Sequence, residues 1–471
     1  MTTATVARRP AADLWSALRE AVRGSRQDFT EGPVGRAILL LAVPMVLEMV
    51  LESVFAVTDV FFVSRLGADA VATVGLTESL MALVYAVAVG VSIGVTATVA
   101  RRTGEKDPDG AARAAVQGIA LGVALAAAIG VTGALLAPKL LALLGASPEV
   151  IAIGHGYTRI LLGGSAVVLF LFLINAAFRG AGDAAVAMRV LWFASAMNIV
   201  LGPCLIFGLG PFPRLGVTGA AIATTTGRGL GVLVQFVFLC RPGGRLTIRR
   251  RHLRIDPAAI WRLVRLSASG VLQMLIGTAS WIGLVRIVAL FGSGALAGYT
   301  IGIRIIIFAL LPSWGLSNAA ATMVGQGLGA RKPDRAERAV WLAAAYNLVF
   351  LTAIGIAFVA LAEPIVRLFT TDPAVAPVAV RCLRLVSFGF PLYAYGMVLT
   401  QSFNGAGDTW TPTLLNLVCF WLWEIPLAWL LAVRFGFGPP GAFGAITAAF
   451  SALALLSVGI FRRGHWKLRT V

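Results

Sequence analysis

The sequence predicts an all-α integral membrane protein with twelve transmembrane helices in two six-helix lobes, related by a pseudo-two-fold axis along the membrane normal. Three observations support this prediction. Of the 471 residues, 58% are hydrophobic and only 13% are charged, and the mean hydropathy is +0.87. Such a composition excludes a soluble globular protein. Twelve apolar stretches have the length of roughly 20 residues that crosses a bilayer, and the two halves of the chain repeat each other.

The first 36 residues form a basic segment that contains six arginines. No small-residue cleavage site follows the next apolar stretch, so we expect the segment to be retained and not removed as a signal peptide. Leu14, Trp15, Leu18 and Val22 would share one side of a helix. This pattern suits either a short helix on an anionic membrane surface or a solvated tail.

Twelve apolar stretches follow this segment. They are residues 37–63, 70–98, 112–137, 150–177, 185–208, 216–240, 263–291, 296–324, 338–361, 377–402, 411–433 and 441–461. Residues 37–240 are therefore expected to form the first lobe and residues 263–461 the second, with a basic linker at 241–262 and a tail at 462–471. Arginines and lysines concentrate in both termini, in alternate connecting loops and in the linker. The positive-inside rule then predicts a plasma (inner) membrane protein with both termini in the cytoplasm.

An internal repeat defines the two lobes, because one constant offset of 225 residues superimposes the halves. The sequence Phe178-Arg-Gly-Ala-Gly-Asp183 returns as Phe403-Asn-Gly-Ala-Gly-Asp408. At the same offset, glycines, prolines and apolar residues coincide along most of the two halves. Each half holds six spans, an even number, so both halves enter the membrane from the same side. The axis that relates them therefore runs along the membrane normal.

Three carboxylates lie in the first predicted span, where an ionisable group costs about 2.5–3.5 kcal/mol and usually has a function. Glu48, Glu52 and Asp59 fall within roughly 40° of each other around a helix, as one stripe that must face protein or water. Three like charges cannot all remain ionised cheaply, so the stripe is expected to carry protons or to bind Na⁺. The structural alternative is an ion pair with an intramembrane arginine such as Arg228. The equivalent positions of the second half hold no acids.

Further charged residues suggest a gate at the outer end of the two lobes. Glu78, in the second span, is expected at a depth similar to that of Asp59. Arg286 and Arg304 of the second half lie within two residues of the repeat equivalents of Asp59 and Glu78. We predict that one of these acids pairs with one of these arginines when the outer mouth is shut, the alternative being that both arginines extend to the interface. Pro44, four residues before Glu48, is a candidate hinge in the first span.

Motifs for enzymatic or cofactor chemistry are absent from the sequence. The four cysteines show no CxxC spacing, and the three histidines form no HExxH motif. Gly325-Gln-Gly-Leu-Gly329 follows an apolar helix instead of a strand, and no GxxxxGK[ST] motif is present. We therefore expect no enzymatic activity, no cofactor apart from a coupling H⁺ or Na⁺, no resident metal and no nucleic-acid partner. The expected partners are small organic substrates and membrane lipids, and the expected state is a monomer.

Several of these features together resemble the multidrug and toxic compound extrusion (MATE) family over about residues 33–465. They are the first span, with Pro44, Glu48 and the run Asp59-Val-Phe-Phe-Val-Ser-Arg-Leu-Gly67, the two GAGD turns, and Asn198-Ile-Val-Leu-Gly-Pro203. The resemblance implies a secondary antiporter that exports amphipathic, often cationic compounds by alternating access in exchange for H⁺ or Na⁺. It also implies that Asp59 is the cation site of the first lobe.

Two details refine the resemblance. The sequence is similar to the DinF-like branch, since it lacks acids in the seventh and tenth spans. The family's fifth-span motif N-x-x-x-D-P has Gly202 at its acid position here, after Asn198. Glu48, Glu52 or Glu78 is then the candidate to supply the missing carboxylate. The main alternative function is a lipid or lipid-linked saccharide flippase of the same superfamily, which would need a cleft lined with several cations.

Overall fold

The computed structural model describes residues 10–470, without the side chains of residues 10–14, 56–60, 64 and 68. The described part of the chain consists of helices and their connections and contains no strand. Its helices are α1 (Pro10–Arg23), α2 (Val34–Ser64), α3 (Ala68–Gly104), α4 (Pro108–Leu143), α5 (Pro148–Gly163), α6 (Ser165–Gly180), α7 (Ala184–Phe207), α8 (Gly216–Cys240), α9 (Pro257–Ala289), α10 (Ser293–Gly329), α11 (Pro333–Ala360), α12 (Ala362–Arg367), α13 (Ala376–Ser387), α14 (Phe390–Ala406), α15 (Trp410–Arg434) and α16 (Pro439–Arg462).

The predicted twelve-helix membrane architecture is confirmed. Within the described residues, eleven segments are long and apolar enough to cross a membrane, with α5 and α6 counted as one, and the pair α13 and α14 forms a twelfth crossing bent by 61°. α1 and the one-and-a-half-turn α12 lie outside these crossings. The helix that contains the seventh predicted span, α9, begins at Pro257, six residues before the predicted apolar stretch.

Local sequence signals explain where several helices begin. Asp107, Ser147 and Asp256 precede α4, α5 and α9, and each side chain accepts hydrogen bonds from backbone N–H groups of the first turn. A proline follows each of them at the first helical position, where its missing N–H costs nothing. These caps and prolines define the first turns of the three helices.

The backbone shows the same repeat as the sequence. Lys106 and Arg331, 225 residues apart, are the two non-glycine residues with positive φ in the described chain, at 58° and 56°. Gly67 and Gly292, also at that offset, have φ of 104° and 99°. Because positive φ is rare for residues with a side chain, matching values at equivalent positions show that the lobes share one fold.

The two lobes pack closely at one end of the bundle, the end that carries Arg101, Lys106, Arg331 and the linker. We call this the basic end. There Gly104 of α3 lies against α10, and a Cβ added to it would stand 2.0 Å from the carbonyl oxygen of Gln326. Reciprocally, a Cβ on Gly329 would stand 2.1 Å from the carbonyl oxygen of Arg101. Glycine is thus required on both helices for the lobes to approach this closely.

The chain between α1 and α2 crosses from one lobe to the other at the basic end. We call residues 24–33 the strap. Arg335 of α11 donates hydrogen bonds to the carbonyl oxygens of Phe29, Glu31 and Gly32 at 2.7–3.1 Å. From the first lobe, Arg245 of the linker bonds the carbonyl oxygen of Gln27, and its guanidinium lies 4.7 Å from the centre of the Phe29 ring. The strap therefore holds both lobes together.

Candidate substrate and cation sites

Glu48 is buried in the first lobe and is paired with an arginine. Its Oε1 lies 2.9 Å from Nη1 of Arg179 on α6 and accepts a hydrogen bond of 3.2 Å from Asn175. Gln235 of α8 in turn donates to Asn175 Oδ1 at 2.7 Å. Glu48 is only 2% exposed, and its Oε2 has no hydrogen-bond partner among the described residues. Glu48 thus has an arginine partner of the kind that the structural alternative requires, and this partner is Arg179 and not Arg228.

Glu52 lies one turn further along α2 and contacts Arg228. Its Oε1 is 3.4 Å from Nη2 of this arginine, which comes from α8 and also donates to the hydroxyl of Tyr85. Arg228 lies over the rings of Phe55 and Tyr85, at 5.0 and 5.6 Å from their centres. The Glu52 side chain remains 28% exposed. Its ion pair is therefore longer and more accessible than that of Glu48.

The Asp59 side chain lies outside the described residues, although its backbone belongs to α2. Asn198 on α7 is buried, and its Nδ2 donates a 2.9 Å hydrogen bond to Thr224 Oγ1 of α8. Thr224 lines a cavity of about 310 Å³ that also contains Glu52, Glu78 and Arg228. We call this the N-lobe cavity. Asn198 thus supports a residue of this cavity and does not bond Glu48, Glu52 or Glu78.

Glu78, on α3, lines the N-lobe cavity. Its carboxylate interacts electrostatically with Arg304 of α10 in the other lobe. Both side chains are exposed, and no ion pair within 4 Å joins these two described residues. Arg286 on α9 is exposed as well and pairs with neither Glu48, Glu52 nor Glu78. Of the predicted gate residues, Glu78 and Arg304 therefore interact between the lobes without direct contact.

α2 runs through the candidate hinge Pro44 as one continuous helix. Gly315 of α10 packs beside this point, since a Cβ on it would lie 2.6 Å from the carbonyl oxygen of Met45. The hinge role of Pro44 stays a prediction.

A cavity of about 220 Å³ lies between the two lobes. Glu48, Glu52 and Arg179 line it from the first lobe, and Trp314 and Gln401 line it from the second. We call it the central cavity. Glu52 also lines the N-lobe cavity, so this carboxylate stands where the two spaces meet. Its position suits exchange between a small cation and a larger ligand.

Sequence reasoning missed an acid in the second lobe, Glu424 of α15. It is 3% exposed and lines a cavity of about 240 Å³ inside this lobe, which we call the C-lobe cavity. The preceding helical turns, Leu417–Glu424, are π-helical, and Pro426 follows. Proline cannot continue the helical hydrogen-bond ladder, and π-helical turns often occur at functional sites. The available signal was that Glu424 is the one acid inside the six predicted spans of the second half.

Metal ligands are not clustered in the described part of the chain. It contains no group of three or more His, Cys, Asp or Glu side chains that could hold a metal ion. Among the described side chains, the acidic groups that the central, N-lobe and C-lobe cavities offer to a cation are the carboxylates of Glu48, Glu52, Glu78 and Glu424.

Comparison with known proteins identifies the family. A family model described as MatE matches residues 44–204 and 270–430, one stretch in each half. The "Probable multidrug resistance protein YoeA" of Bacillus subtilis (strain 168) is 26% identical over 442 residues, covering 93% of this chain and 95% of that protein. An "FAD transporter" of Shewanella oneidensis is 28% identical over 417 residues, covering 86% of this chain and 89% of that protein.

Solved structures agree with this assignment. A crystal structure of MATE in the straight conformation superimposes with a TM-score of 0.87 at 25% identity, covering 96% of this chain and 99% of the other. A multidrug resistance MATE transporter of the MOP superfamily, in an outward-facing conformation, gives a TM-score of 0.87 at 25% identity over 94% of this chain and 98% of the other. Since the family model matches more than half of its residues, the chain belongs to the MatE family of transporters and is not an enzyme.

Proposed function

We propose that the protein is a secondary active multidrug efflux antiporter that exports amphipathic organic cations in exchange for H⁺ or Na⁺. The observation that carries this proposal is the position of Glu52 between the central cavity and the N-lobe cavity. An ion and a cationic substrate that compete for this carboxylate cannot occupy it together, and their competition would couple the two fluxes. The resemblance to relatives named as multidrug resistance proteins supports the same function.

The charge distribution supports a direction for transport. If the basic end faces the cytoplasm, as the positive-inside rule predicts, the close packing of Gly104 and Gly329 shuts the cytoplasmic side. The conformation with a closed basic end would then bind ions from the outside and release substrate to the outside. Each charge that crosses inward down a potential of 100 mV supplies about 2.3 kcal/mol, so one or two ions suffice to drive a solute outward.

The first-lobe acids differ in how well they suit this cycle. Glu48 is buried and held by both Arg179 and Asn175, which favours a structural role. Glu52 has a longer ion pair and partial exposure, and Glu78 has no ion pair within 4 Å among the described residues. We therefore assign coupling to Asp59, Glu52 and Glu78, and we assign to Glu48 the positioning of α2.

The main alternative, a flippase for lipid-linked saccharides, would hold an anionic headgroup with several available cations. The two described arginines that line the central and N-lobe cavities are instead paired with carboxylates, Arg179 with Glu48 and Arg228 with Glu52. This pairing disfavours the flippase, because a phosphate would have to displace both acids.

Transport in proteoliposomes tests the proposal. Ethidium flux is measured with an imposed proton gradient or an imposed sodium gradient, for the native protein and for Asp59→Asn, Glu52→Gln and Glu78→Gln. We expect one gradient to drive flux in the native protein and Asp59→Asn to abolish it while thermal unfolding stays unchanged. Asp69→Asn, an exposed acid in the first turn of α3, is the matched control. Normal flux in Asp59→Asn, or gradient-independent flux in the native protein, would contradict the proposal.

A further inference from the structure

The carboxylate of Glu424 is buried without a partner in the described part of the protein. The residue is 3% exposed, and no hydrogen bond or charge of a described residue stabilises its ionised form. It differs in this respect from Glu48 and Glu52, each of which has an arginine. A buried carboxylate that lacks a counter-ion binds a proton or, when it is ionised, attracts a cation from outside the protein.

The surroundings of Glu424 can hold an aromatic cation. Trp281 and Trp314 line the C-lobe cavity, together with the rings of Phe420, Tyr393 and Phe450. The last two are stacked, with ring centres 3.8 Å apart, and form a flat wall. Aromatic faces attract organic cations both by their quadrupole and by apolar contact.

The other polar groups of the cavity wall are side-chain amides and hydroxyls, such as those of Gln273, Gln401 and Asn416. Oε1 of Gln273, on the α9 side of the cavity, is buried without a hydrogen-bond partner among the described residues. The wall thus combines one acid and one free amide oxygen with several aromatic rings, and no basic side chain of the described residues lines it. This chemistry offers no counter-charge to an anion, whereas a carboxylate beside several aromatic faces suits an organic cation.

The C-lobe cavity adjoins the central cavity, since Trp314 and Gln401 line both. From these observations, we propose that the C-lobe cavity is a second binding site for an amphipathic organic cation, with Glu424 as its counter-charge and the rings of Trp281, Tyr393 and Phe420 around its apolar body. The proposal rests on the proposed function for its substrate class. It adds a site in the lobe where the coupling acids are absent, so cargo held there does not have to compete with the ion for the same carboxylate.

Binding of tetraphenylphosphonium to the purified protein tests this site, because the charge of this aromatic cation does not depend on pH. We expect Glu424→Gln to weaken binding at least tenfold and Glu424→Asp, which keeps the charge, to weaken it less than threefold. The same substitution at an exposed acid of the second lobe, Glu363→Gln, should leave affinity unchanged. The uncharged aromatic probe N-phenyl-1-naphthylamine should bind native protein and Glu424→Gln equally. Thermal unfolding of each variant establishes that it is folded.

The outcomes separate this inference from the proposed function. Unchanged tetraphenylphosphonium affinity in Glu424→Gln, alongside lost ethidium flux in Asp59→Asn, overturns the second site and leaves the antiporter intact. If Glu424→Gln keeps its affinity for tetraphenylphosphonium but its transport no longer depends on H⁺ or Na⁺, Glu424 is a coupling group. This result would also overturn the second site. Weakened binding in Glu424→Gln supports the site even where native flux proves independent of both gradients, a result that contradicts only the proposed function.

Discussion

Glu48 and Arg179 form a buried pair whose loss should be measurable as stability. The two side chains are 3% and 11% exposed, so either charge left alone would remain in a medium that solvates it poorly. Removing one partner of such a pair typically costs about 3–5 kcal/mol. We expect Arg179→Met to lower the free energy of unfolding of the detergent-solubilised protein by about 3–5 kcal/mol. Thermal unfolding measures this loss.

A double-mutant cycle checks the physical reason. Because the isolated charge causes the loss, Glu48→Gln combined with Arg179→Met should restore most of the stability that Arg179→Met removes. Arg189→Met, at an exposed arginine of α7, serves as the control. Additive losses in the double variant would show that the two side chains act independently.

At the level of single residues, the sequence predicted the acids of α2 but not their partners. Spacing around a helix follows from the sequence alone, and Glu48 and Glu52 do line the central cavity together. The partner of Glu48 is 131 residues away, and no local pattern indicates which arginine of another span reaches it. Glu424 was not predicted as a site residue because its repeat equivalent is Ile199. The comparison of the two halves therefore did not identify an acid at this position.

At the level of helices, close packing at the basic end should control which side of the transporter is shut. A methyl group at position 104 would collide with the backbone of α10, and a backbone atom cannot move aside as a side chain can. We expect Gly104→Ala to separate α3 from α10 and to raise the population of the state that is open at the basic end. Cysteine accessibility at that end, measured with a membrane-impermeant reagent on inside-out vesicles, should increase.

The same helix offers a matched control. Gly75 of α3 has nothing within 4 Å of an added Cβ, so Gly75→Ala should leave accessibility unchanged and should stabilise the helix slightly. Equal effects of the two substitutions would point to a general response of α3 and not to the contact between the lobes.

The opposite end of α3 carries the predicted gate. Glu78 and Arg304 stand apart here, so a disulfide between cysteines placed at these two positions should form mainly when the outer mouth closes. The exposed or half-buried native thiols, Cys204 and Cys240, are replaced by serine first. We expect oxidation to stop ethidium transport and reduction to restore it. Cross-linking that proceeds equally in the inward-open and outward-open states would contradict the predicted gate.

The apolar pattern of the sequence predicted the positions of the helices but not two interruptions within them. The stretches 150–177 and 377–402 read as single spans, whereas each contains an interruption, at Gly164 and at Gly389. These glycines are 225 residues apart, so the break belongs to the repeated fold. Continuous hydrophobicity reports that a segment is surrounded by lipid or protein and carries no information about backbone direction.

At the level of the whole molecule, both terminal segments connect the lobes. The strap contacts Arg245 on one side and Arg335 on the other, and the tail residue Arg469 pairs with Asp408 and accepts a hydrogen bond from Arg101. The sequence predicted basic segments at this end but not these contacts, because most of them use backbone carbonyl groups, which every residue has. The lobes must lose some of these contacts before they can separate here.

Arg335 should therefore act as a latch on the closed basic end. It donates four hydrogen bonds to strap carbonyls, and each hydrogen bond from a charged group contributes about 1.5–3 kcal/mol when it is well formed. Solvent exposure reduces this value, so we expect Arg335→Ala to raise the ratio of open to closed basic ends by at least tenfold, or about 1.4 kcal/mol.

Spin labels at positions 113 and 463 measure this ratio as a distance distribution. Position 113 is an exposed residue of the first lobe, and position 463 is an exposed residue at the end of the second. Arg338→Ala removes an exposed arginine of the same helix that makes no hydrogen bond to the described strap, and it should leave the distribution unchanged. A latch requires that Arg335→Ala lengthen the distances and Arg338→Ala not do so, whereas equal changes would assign the effect to the net charge of α11.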